Sequence, residues 1–302
     1  MPPPDEAPPI QHYENFPVAS VLCPPRLRPP IAAIYHFART ADDIADEGYC
    51  SSADRLQALA DYRAQLHIIS QATTANTSQP VLDARWSNVF THLQSAIAQH
   101  QLPVPLLEDL LDAFVQDIEK TRDFTERNGC SSGNAEPSYA TDAELHAYCS
   151  RSANPIGRLL LHLYGVSEPA ALAQSDAICT ALQLINFWQD PSVDIPRGRH
   201  YFTTEMQQRA SVSMADLCAQ RVNAETTRMV RQCVDAARAR MLQGAPLVHR
   251  LPGRAGWELR LVVQGGLRIL DKIEALGFAT LRERPTLHAL DFGLMLWRAL
   301  WM

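Results

Sequence analysis

Two clusters of oxygen-bearing side chains carry the chemistry that this chain could perform. The first is the D-D-x-x-D pattern at residues 42–46, and the second contains Asn186, Asp190 and Asp194. Side chains three or four positions apart share one face of a helix, so each cluster can gather its oxygens on one side. Mg²⁺ binds one or two carboxylates and completes its shell with water and substrate phosphate oxygens, whereas zinc prefers His and Cys. The clusters therefore predict two halves of one magnesium and diphosphate site.

The first cluster lies on a predicted helix over residues 29–47. Tyr35, Arg39, Asp42 and Asp46 follow at spacings of four, three and four, and they form a polar stripe on an otherwise apolar helix. Such a stripe should face a cavity or solvent. The alternative is a solvated charged face in which Arg39 pairs with Asp43, an interaction that contributes little to stability.

The second cluster lies at the end of a predicted helix over residues 169–190. Gln183, Asn186 and Asp190 form a stripe inside a strongly apolar run, where polar groups need partners or a ligand. Pro191 lacks an N–H and moves the preceding residue away from helical dihedrals, so we expect Asp194 on a loop after a break.

Cations follow this cluster in the R-G-R-H-Y sequence at residues 197–201. Arg199 could hold a diphosphate, because the planar guanidinium matches phosphate oxygens with parallel donors. An exposed basic loop is the alternative interpretation.

The composition is typical of a helical globular protein. The 302 residues are 46% hydrophobic and 20% charged, and only 13 are glycine, which favours helices over turn-rich sheet. The net charge of −6 argues against a nucleic-acid partner. The seven cysteines contain no C-x-x-C pair, so they indicate neither a disulfide framework nor a structural zinc site, and a cytoplasmic location is the simpler interpretation.

Neither end of the chain carries a membrane signal. The amino terminus lacks the charged start and apolar run of a signal peptide, and no stretch of about 20 apolar residues occurs. Residues 287–302 are apolar but few, and they include Asp291 and Arg298. This favours a docked core helix over a membrane anchor.

Apolar residues recur at helical spacing along almost the whole chain. Residues 1–10 are proline-rich and predicted to be disordered, and residues 123–137 are predicted to form a mobile surface loop. Without a repeat or a shift in composition, residues 11–302 are predicted to form one all-α domain. The predicted helices are at residues 29–47, 53–70, 82–99, 105–122, 141–164, 169–190, 213–243, 255–276 and 286–300.

Three segments resemble the squalene/phytoene synthase family of head-to-head prenyltransferases. They are I-Y-H-F-A-R-T-A-D-D-I-A-D-E-G at residues 34–48, R-S-A-N-P-I-G-R-L-L-L-H-L-Y-G at residues 151–165 and Q-L-I-N-F-W-Q-D at residues 183–190. The resemblance covers nearly the whole chain and is strongest to the bacterial hydroxysqualene synthases of hopanoid biosynthesis. The S-A-N-P run at residues 152–155 stands where related synthases carry V-A-G, which points to a specialised chemistry.

The resemblance implies an isoprenoid-synthase-type bundle of helices around a deep apolar cavity, with both acidic motifs at its mouth. It also implies roles by matching position. Tyr35 and Tyr148 would line the reacting end, close to Asn154. The metal-associated residues would be Asp42, Asp46, Asn186, Asp190 and Asp194, and the diphosphate contacts would be Ser20, Arg39, Gln183 and Arg199.

The implied reaction converts presqualene diphosphate and water into hydroxysqualene and diphosphate. Mg²⁺ and the arginines would stabilise the charge of the leaving group, and the cavity would shield the carbocation from random water. We hypothesise that Tyr148 or Asn154 positions the one water that reacts. No G-x-G-x-x-G follows a strand, which agrees with the expectation that NADPH is not required.

Other interpretations remain open. A presqualene diphosphate, squalene or dehydrosqualene synthase would act on two farnesyl diphosphates. A non-catalytic assembly factor of the family should have lost the acidic ligands, and a terpene cyclase usually carries Ser or Thr and then Glu after the Asn of its second motif. The chain is expected to be a monomer or homodimer. Apolar substrates are compatible with a peripheral contact at the inner membrane, although no basic amphipathic helix indicates one.

Overall fold

The computed structural model describes residues 23–46, 51–75, 81–126 and 137–302, without the side chains of Asp46 and of residues 74–75 and 122–126. Every regular element in these ranges is helical, as the sequence predicts. Within the described ranges, three short 3₁₀ turns occur, at Pro25–Leu27, Ile195–Arg197 and Ala245–His249. The α-helices of these ranges are α1 (Arg28–Asp46), α2 (Ser52–Ala75), α3 (Ser87–His100), α4 (Val104–Glu126), α5 (Asp142–Ser152), α6 (Asn154–Leu163), α7 (Pro169–Gln189), α8 (Pro191–Asp194), α9 (Thr204–Ala210), α10 (Met214–Cys218), α11 (Ala224–Gly244), α12 (Arg254–Ala275) and α13 (Ala289–Leu300).

Two apolar clusters hold the helices together. In the first, α1 to α4 pack around the rings of Phe37, Tyr62 and Phe90, which lie 4.7–6.1 Å apart between centroids. In the second, α7 packs against α5, α6, α11 and α12 and buries Trp188 almost completely. Burial of apolar area of this kind is the main favourable term in folding. The helix with the second acidic cluster is thus the central one of its half.

Two of the predicted helices are divided in the structure. The helix predicted at 141–164 breaks at Ala153, whose φ is −121°, because Pro155 lacks an N–H and its ring would clash with the carbonyl four residues earlier in a continuous helix. The helix predicted at 213–243 consists of α10 and α11, since the Asn223 side chain caps α11 by accepting from the Thr226 N–H at 2.9 Å. Helix α9 was not predicted.

The predictions for irregular segments fall mostly outside the described residues. Helix α4 continues to Glu126, so residues 123–126 are helical rather than part of a loop. Residues 127–136 and 1–22 lie outside the description. Cys218 is disulfide-bonded, although the spacing of the cysteines gave no indication of such a bond. No helix of the described ranges is long and apolar enough to cross a membrane.

Candidate active site

An apolar cavity of about 510 Å³ lies among α1, α6, α7 and α12. Its walls are almost entirely hydrocarbon, and a cavity of this size can enclose most of a small apolar ligand. Gly157 of α6 lies so close to α7 that a Cβ there would be 2.4 Å from Ser175 Oγ and 2.5 Å from Cys179 Sγ. The apolar wall includes Ile31, Ile34, Phe114, Ile156, Leu160, Leu161, Ile178, Leu182, Leu247, Leu251, Leu259 and Val262.

A polar pocket of about 640 Å³ adjoins this cavity. Four arginines from α1, α2 and the segment after α8 line it, together with two carboxylates and a threonine hydroxyl. Arg39 and Asp42 line both spaces, so the charged and the hydrocarbon compartments meet at these two side chains. A ligand with an anionic head and an apolar tail matches this arrangement. The pocket is lined by Arg39, Asp42, Ala45, Arg55, Asp117, Thr121, Arg197 and Arg199.

The first acidic cluster is held by one guanidinium. Arg39 Nη1 lies 3.1 Å from Asp42 Oδ2, and Arg39 Nη2 lies 2.8 Å from Asp43 Oδ1. The Arg39–Asp43 pair considered for a solvated face therefore forms, yet Arg39 and Asp42 also face both cavities. Tyr35, one turn earlier, lines the apolar cavity. The backbone of Asp46 lies one turn after Asp42 on α1.

The second acidic cluster spans a corner between two helices. Helix α7 ends at Gln189, and Asp190 has φ −106° and ψ 15°, which confirms a break before Pro191. Asp194 lies in α8 and not on the predicted loop, because proline is well tolerated at the first position of a new helix. Its N–H donates to the Asp190 carbonyl at 2.9 Å. The chain therefore changes direction at Asp190, and Pro191 begins a new helix directly after α7.

Asp190 is paired with a distant arginine. Arg284 Nε donates to Asp190 Oδ1 at 2.6 Å, and Arg284 Nη2 donates to Oδ2 at 3.1 Å. Two further hydrogen bonds hold this corner in place. Gln189 Nε2 donates to the Pro285 carbonyl at 2.7 Å, and the Ser192 N–H donates to another backbone carbonyl. The Asp190 carboxylate is thus neutralised by a bidentate contact. Bidentate arginine–carboxylate pairs are among the stronger ion pairs.

A group of aromatic rings connects the second cluster to the polar pocket. The Tyr148 hydroxyl donates to Asp117 Oδ2 at 2.6 Å, and the Tyr201 ring stacks on Phe187 of α7 at 3.6 Å between centroids. Burial, followed by the negative charge of Asp117, raises the pKa of Tyr148 well above its ordinary value. The same causes raise the pKa of Tyr201, where Asp194 adds its charge. Both hydroxyls therefore remain protonated, and that of Tyr148 acts as a donor to Asp117.

Comparisons with known proteins agree with this geometry. The family model described as squalene/phytoene synthase matches residues 10–291. The chain belongs to the squalene/phytoene synthase family. It is 30% identical over 281 residues to the hydroxysqualene synthase of Rhodopseudomonas palustris, covering 92% of this chain and 85% of that protein. It is 35% identical over 205 residues to the hydroxysqualene synthase of Zymomonas mobilis, covering 68% of this chain and 59% of that protein.

Solved structures show the same fold. The squalene synthase HpnC from Alicyclobacillus acidocaldarius superimposes with a TM-score of 0.72 at 31% identity, covering 88% of this chain and 90% of that one. A dehydrosqualene synthase crystallised with a ligand superimposes with a TM-score of 0.73 at 17% identity, covering 94% of this chain and 89% of that one. The second likeness concerns the fold alone. The predicted all-α bundle of the isoprenoid-synthase type is therefore confirmed.

Within this family member, the predicted site residues fall into separate groups. Arg39, Asp42 and Arg199 line one pocket, as the sequence implied, and Tyr35 lies in the adjoining cavity. Six other predicted residues with described side chains line neither space, namely Tyr148, Asn154, Gln183, Asn186, Asp190 and Asp194. Gln183 and Asn186 are half-buried on α7, and Ser20 lies outside the described residues.

Asn154 has a packing contact that the sequence did not reveal. Its side chain is 8% exposed, and its amide oxygen accepts a hydrogen bond from Thr180 Oγ1 at 3.0 Å. This bond joins the start of α6 to the middle of α7. The amide thus satisfies a buried hydroxyl, which is the usual requirement for polar groups in a core.

Three residues that line the polar pocket were not predicted from the sequence, namely Arg55, Asp117 and Thr121. The one available signal was the spacing of four between Asp117 and Thr121 on a predicted helix, which places both on one face. Arg55 lies on α2 and gives no local signal. Arg284 gives no local signal either, because it is 94 positions from its partner Asp190 in the sequence.

The donor chemistry of the two clusters suits Mg²⁺ in one specific way. In the described residues, no three His, Cys, Asp or Glu side chains come together as a ready-made metal site. Asp42 borders the arginine-lined pocket, and Asp117 is the other carboxylate that lines it. Because Mg²⁺ commonly takes one or two carboxylates and fills its shell with water and phosphate oxygens, such a border residue fits the ion better than a closed protein cage would.

Proposed function

We propose that this chain converts presqualene diphosphate and water into hydroxysqualene and diphosphate. The observation that carries the proposal is the shared border at Arg39 and Asp42, where an apolar cavity meets an arginine-lined pocket. Such a site holds a prenyl chain on one side and its diphosphate on the other. Two relatives named hydroxysqualene synthase, at 30% and 35% identity, support this product over the other products of the family.

The arginines perform the first step, in which the carbon–oxygen bond breaks and its electron pair leaves with diphosphate. Arg39, Arg55, Arg197 and Arg199 stand around the pocket in fixed positions, so their donors stabilise the charge that develops on the leaving oxygens. Mg²⁺ would be held by Asp42, Asp46, Asn186, Asp190 and Asp194, and when bound it would add Lewis-acid neutralisation of that charge. Ser20 and Gln183 are proposed as additional diphosphate contacts.

The second step is capture of the carbocation by water, and we assign its positioning to Tyr148, which lies behind the pocket wall and is bonded to the pocket residue Asp117. The oxygen of Tyr148 retains a lone pair that can accept from water, while its proton points to Asp117 at 2.6 Å. As the water oxygen bonds to carbon, its proton passes to the tyrosine oxygen and the tyrosine proton passes to the Asp117 carboxylate. Tyr35, on the cavity wall, is proposed to shield the cation.

Three further features belong to the proposal. Residues 11–302 form one catalytic domain, and NADPH is not required because water, not hydride, ends the reaction. The enzyme works in the cytoplasm at the surface of the inner membrane. Presqualene diphosphate, squalene and dehydrosqualene synthase activities remain the alternatives within the family.

The deciding experiment uses isotopically labelled water. Purified protein is incubated with Mg²⁺ and presqualene diphosphate in H₂¹⁸O, and separately with farnesyl diphosphate with and without NADPH. Mass spectrometry should find hydroxysqualene with ¹⁸O in its hydroxyl group and unlabelled diphosphate. Squalene as the main product, or label in the diphosphate, would contradict the proposal. No diphosphate release from either substrate would favour a non-catalytic assembly factor.

A further inference from the structure

Helix α13 points its charged side chains toward the protein. Asp291 is buried, and its carboxylate lies 2.7 Å from Arg268 Nε and 2.7 Å from Lys272 Nζ of α12. Arg298 Nη1 lies 2.6 Å from Asp271 Oδ2 of the same helix. Asp291 and Arg298 are the two charged residues of α13, so the side of this helix that faces solvent carries no charge.

Large apolar side chains cover the solvent side of α13. Leu290, Trp297 and Trp301 are 91%, 59% and 77% exposed, and the two tryptophan rings lie 5.8 Å apart in an edge-to-face contact. Phe292 and Leu296 are also exposed on its flank. A contiguous apolar surface of this kind is rare on a free protein surface and marks a site of interaction.

Basic side chains adjoin the carboxyl end of α13. Arg260 of α12 donates to the Ala299 carbonyl at 3.0 Å, and its guanidinium lies 4.7 Å from the centre of the half-exposed Trp257 ring. Arg250 and Arg254 are exposed just before this point in the chain, and neither forms an ion pair with any residue of the described ranges. Tryptophan beside unpaired arginine is typical of surfaces at a membrane–water interface.

Helix α12 separates this surface from the apolar cavity. Ala255, Leu259 and Val262 line the cavity, whereas Trp257 is exposed and Arg260 contacts α13. The exposed tryptophans therefore lie behind the wall of the cavity that receives hydrocarbon chains. A surface that contacts a bilayer at this position would bring the cavity close to the place where apolar prenyl chains accumulate.

We propose that the docking face, defined as the solvent side of α13 together with Trp257, binds a lipid bilayer that contains anionic headgroups. The apolar side chains of α13 enter the interface, and Arg250 and Arg254 contact lipid phosphates. A second copy of the chain is a poorer match, because the same uncharged face of another copy offers these arginines no counter-charge. The benefit of this surface to the enzyme rests on the proposed prenyl substrate, whereas its binding to a bilayer does not.

The test is co-sedimentation of the full-length protein with vesicles in the absence of substrate. Wild type should bind phosphatidylcholine vesicles weakly and mixed phosphatidylcholine and phosphatidylglycerol vesicles more tightly, with a loss at high salt. The double variant Trp297→Ser with Trp301→Ser should lower the partition coefficient about tenfold or more. Arg250→Gln with Arg254→Gln should remove only the preference for phosphatidylglycerol.

The matched control is Val81→Ser, since Val81 is 94% exposed and lies outside the docking face. It should bind vesicles as wild type does, and circular dichroism should show all variants folded. Wild type that binds neither kind of vesicle, or a double tryptophan variant that binds as wild type, would overturn the proposal. A dimeric mass in solution that falls to a monomer in the tryptophan variant would also overturn it, in favour of a second copy. A protein that binds vesicles but forms no hydroxysqualene would contradict the proposed reaction and leave the membrane proposal standing.

Discussion

The hydroxyl of Tyr148 donates a 2.6 Å hydrogen bond to the carboxylate of Asp117, and Asp117 lines the arginine-rich pocket. This bond joins a tyrosine buried in α5 to the compartment that is proposed to receive diphosphate. An anionic acceptor makes it a strong hydrogen bond. It fixes the orientation of the hydroxyl group before any substrate arrives.

Tyr148→Phe should lower kcat about a hundredfold while leaving KM within a few-fold, because it removes only the proton path for the water. Asp117→Asn should have a similar effect on kcat. The control is Tyr62→Phe, which removes another buried hydroxyl, bonded to the Phe37 carbonyl at 3.2 Å in the other core. Steady-state kinetics with presqualene diphosphate provide the measurement. Equal losses in Tyr148→Phe and Tyr62→Phe would show that stability, not proton transfer, explains the effect.

Arg197→Gln should weaken binding of inorganic diphosphate about tenfold, because one charge-assisted contact to the anion is lost. Isothermal calorimetry with Mg²⁺ present measures the change directly. Arg85→Gln is the control, since Arg85 is paired with Asp83 and Asp61 on the surface away from the pocket. Unchanged diphosphate affinity in Arg197→Gln would remove this residue from the site.

Arg284→Gln should release the Asp190 carboxylate from its ion pair. If Asp190 binds Mg²⁺, the competing cation is gone, and the Mg²⁺ concentration for half-maximal activity should fall about threefold or more. Arg158→Gln is a close control, because Arg158 contacts Asp176 through the same two nitrogens and is equally exposed at 44%. A magnesium requirement that rises, or that changes alike in both variants, would contradict the assignment of Asp190.

Asn154→Ala should destabilise the fold by about 1–3 kcal/mol, because the buried hydroxyl of Thr180 loses its acceptor. The alcohol should remain the main product, since the amide is committed to packing. Thr180→Val should cost a similar free energy of unfolding, and the double variant should cost less than the sum. Urea titration and product analysis together test this. An alkene product from folded Asn154→Ala would assign the water to Asn154 instead.

His200 should make the free energy of unfolding depend on pH. Burial lowers the pKa of His200 to about 4, below the ordinary value. At a pH between the folded pKa and the ordinary pKa of about 6.5, His200 binds a proton in the unfolded chain but not in the folded protein. Its contribution to stability is therefore complete above about pH 6.5 and is lost as the pH falls towards 4. The loss between pH 7 and pH 5 is about 2 kcal/mol. His200→Gln should remove that part of the slope in urea titrations, and an unchanged slope would contradict it.

The helices and the first acidic stripe could be predicted because they depend on neighbours in the sequence. The spacing of Tyr35, Arg39 and Asp42 along one helix face is a local property, and the three side chains do face the cavities. The prediction of Asp194 on a loop was wrong, because Pro191 not only ends one helix but also starts the next.

The remainder of the site depends on contacts between distant parts of the chain. Arg55 and Asp117 reach the pocket only because α2 and α4 pack beside α1. The Arg284–Asp190 pair joins residues on either side of the five intervening helices α8 to α12. The orientation of α13 was also hidden, because its apolar pattern suits a buried helix as well as an exposed one.

Arg39 and Asp42 border both compartments. The charged head group of a bound ligand therefore fixes the point at which its hydrocarbon chain enters the cavity. The apolar walls of the cavity, which include Leu251 and Val262, then limit how long a chain can be accommodated from that point. Chain-length selection and anion recognition are thereby separate properties of this protein. Each can change by substitution at one end of the cavity while the other is preserved.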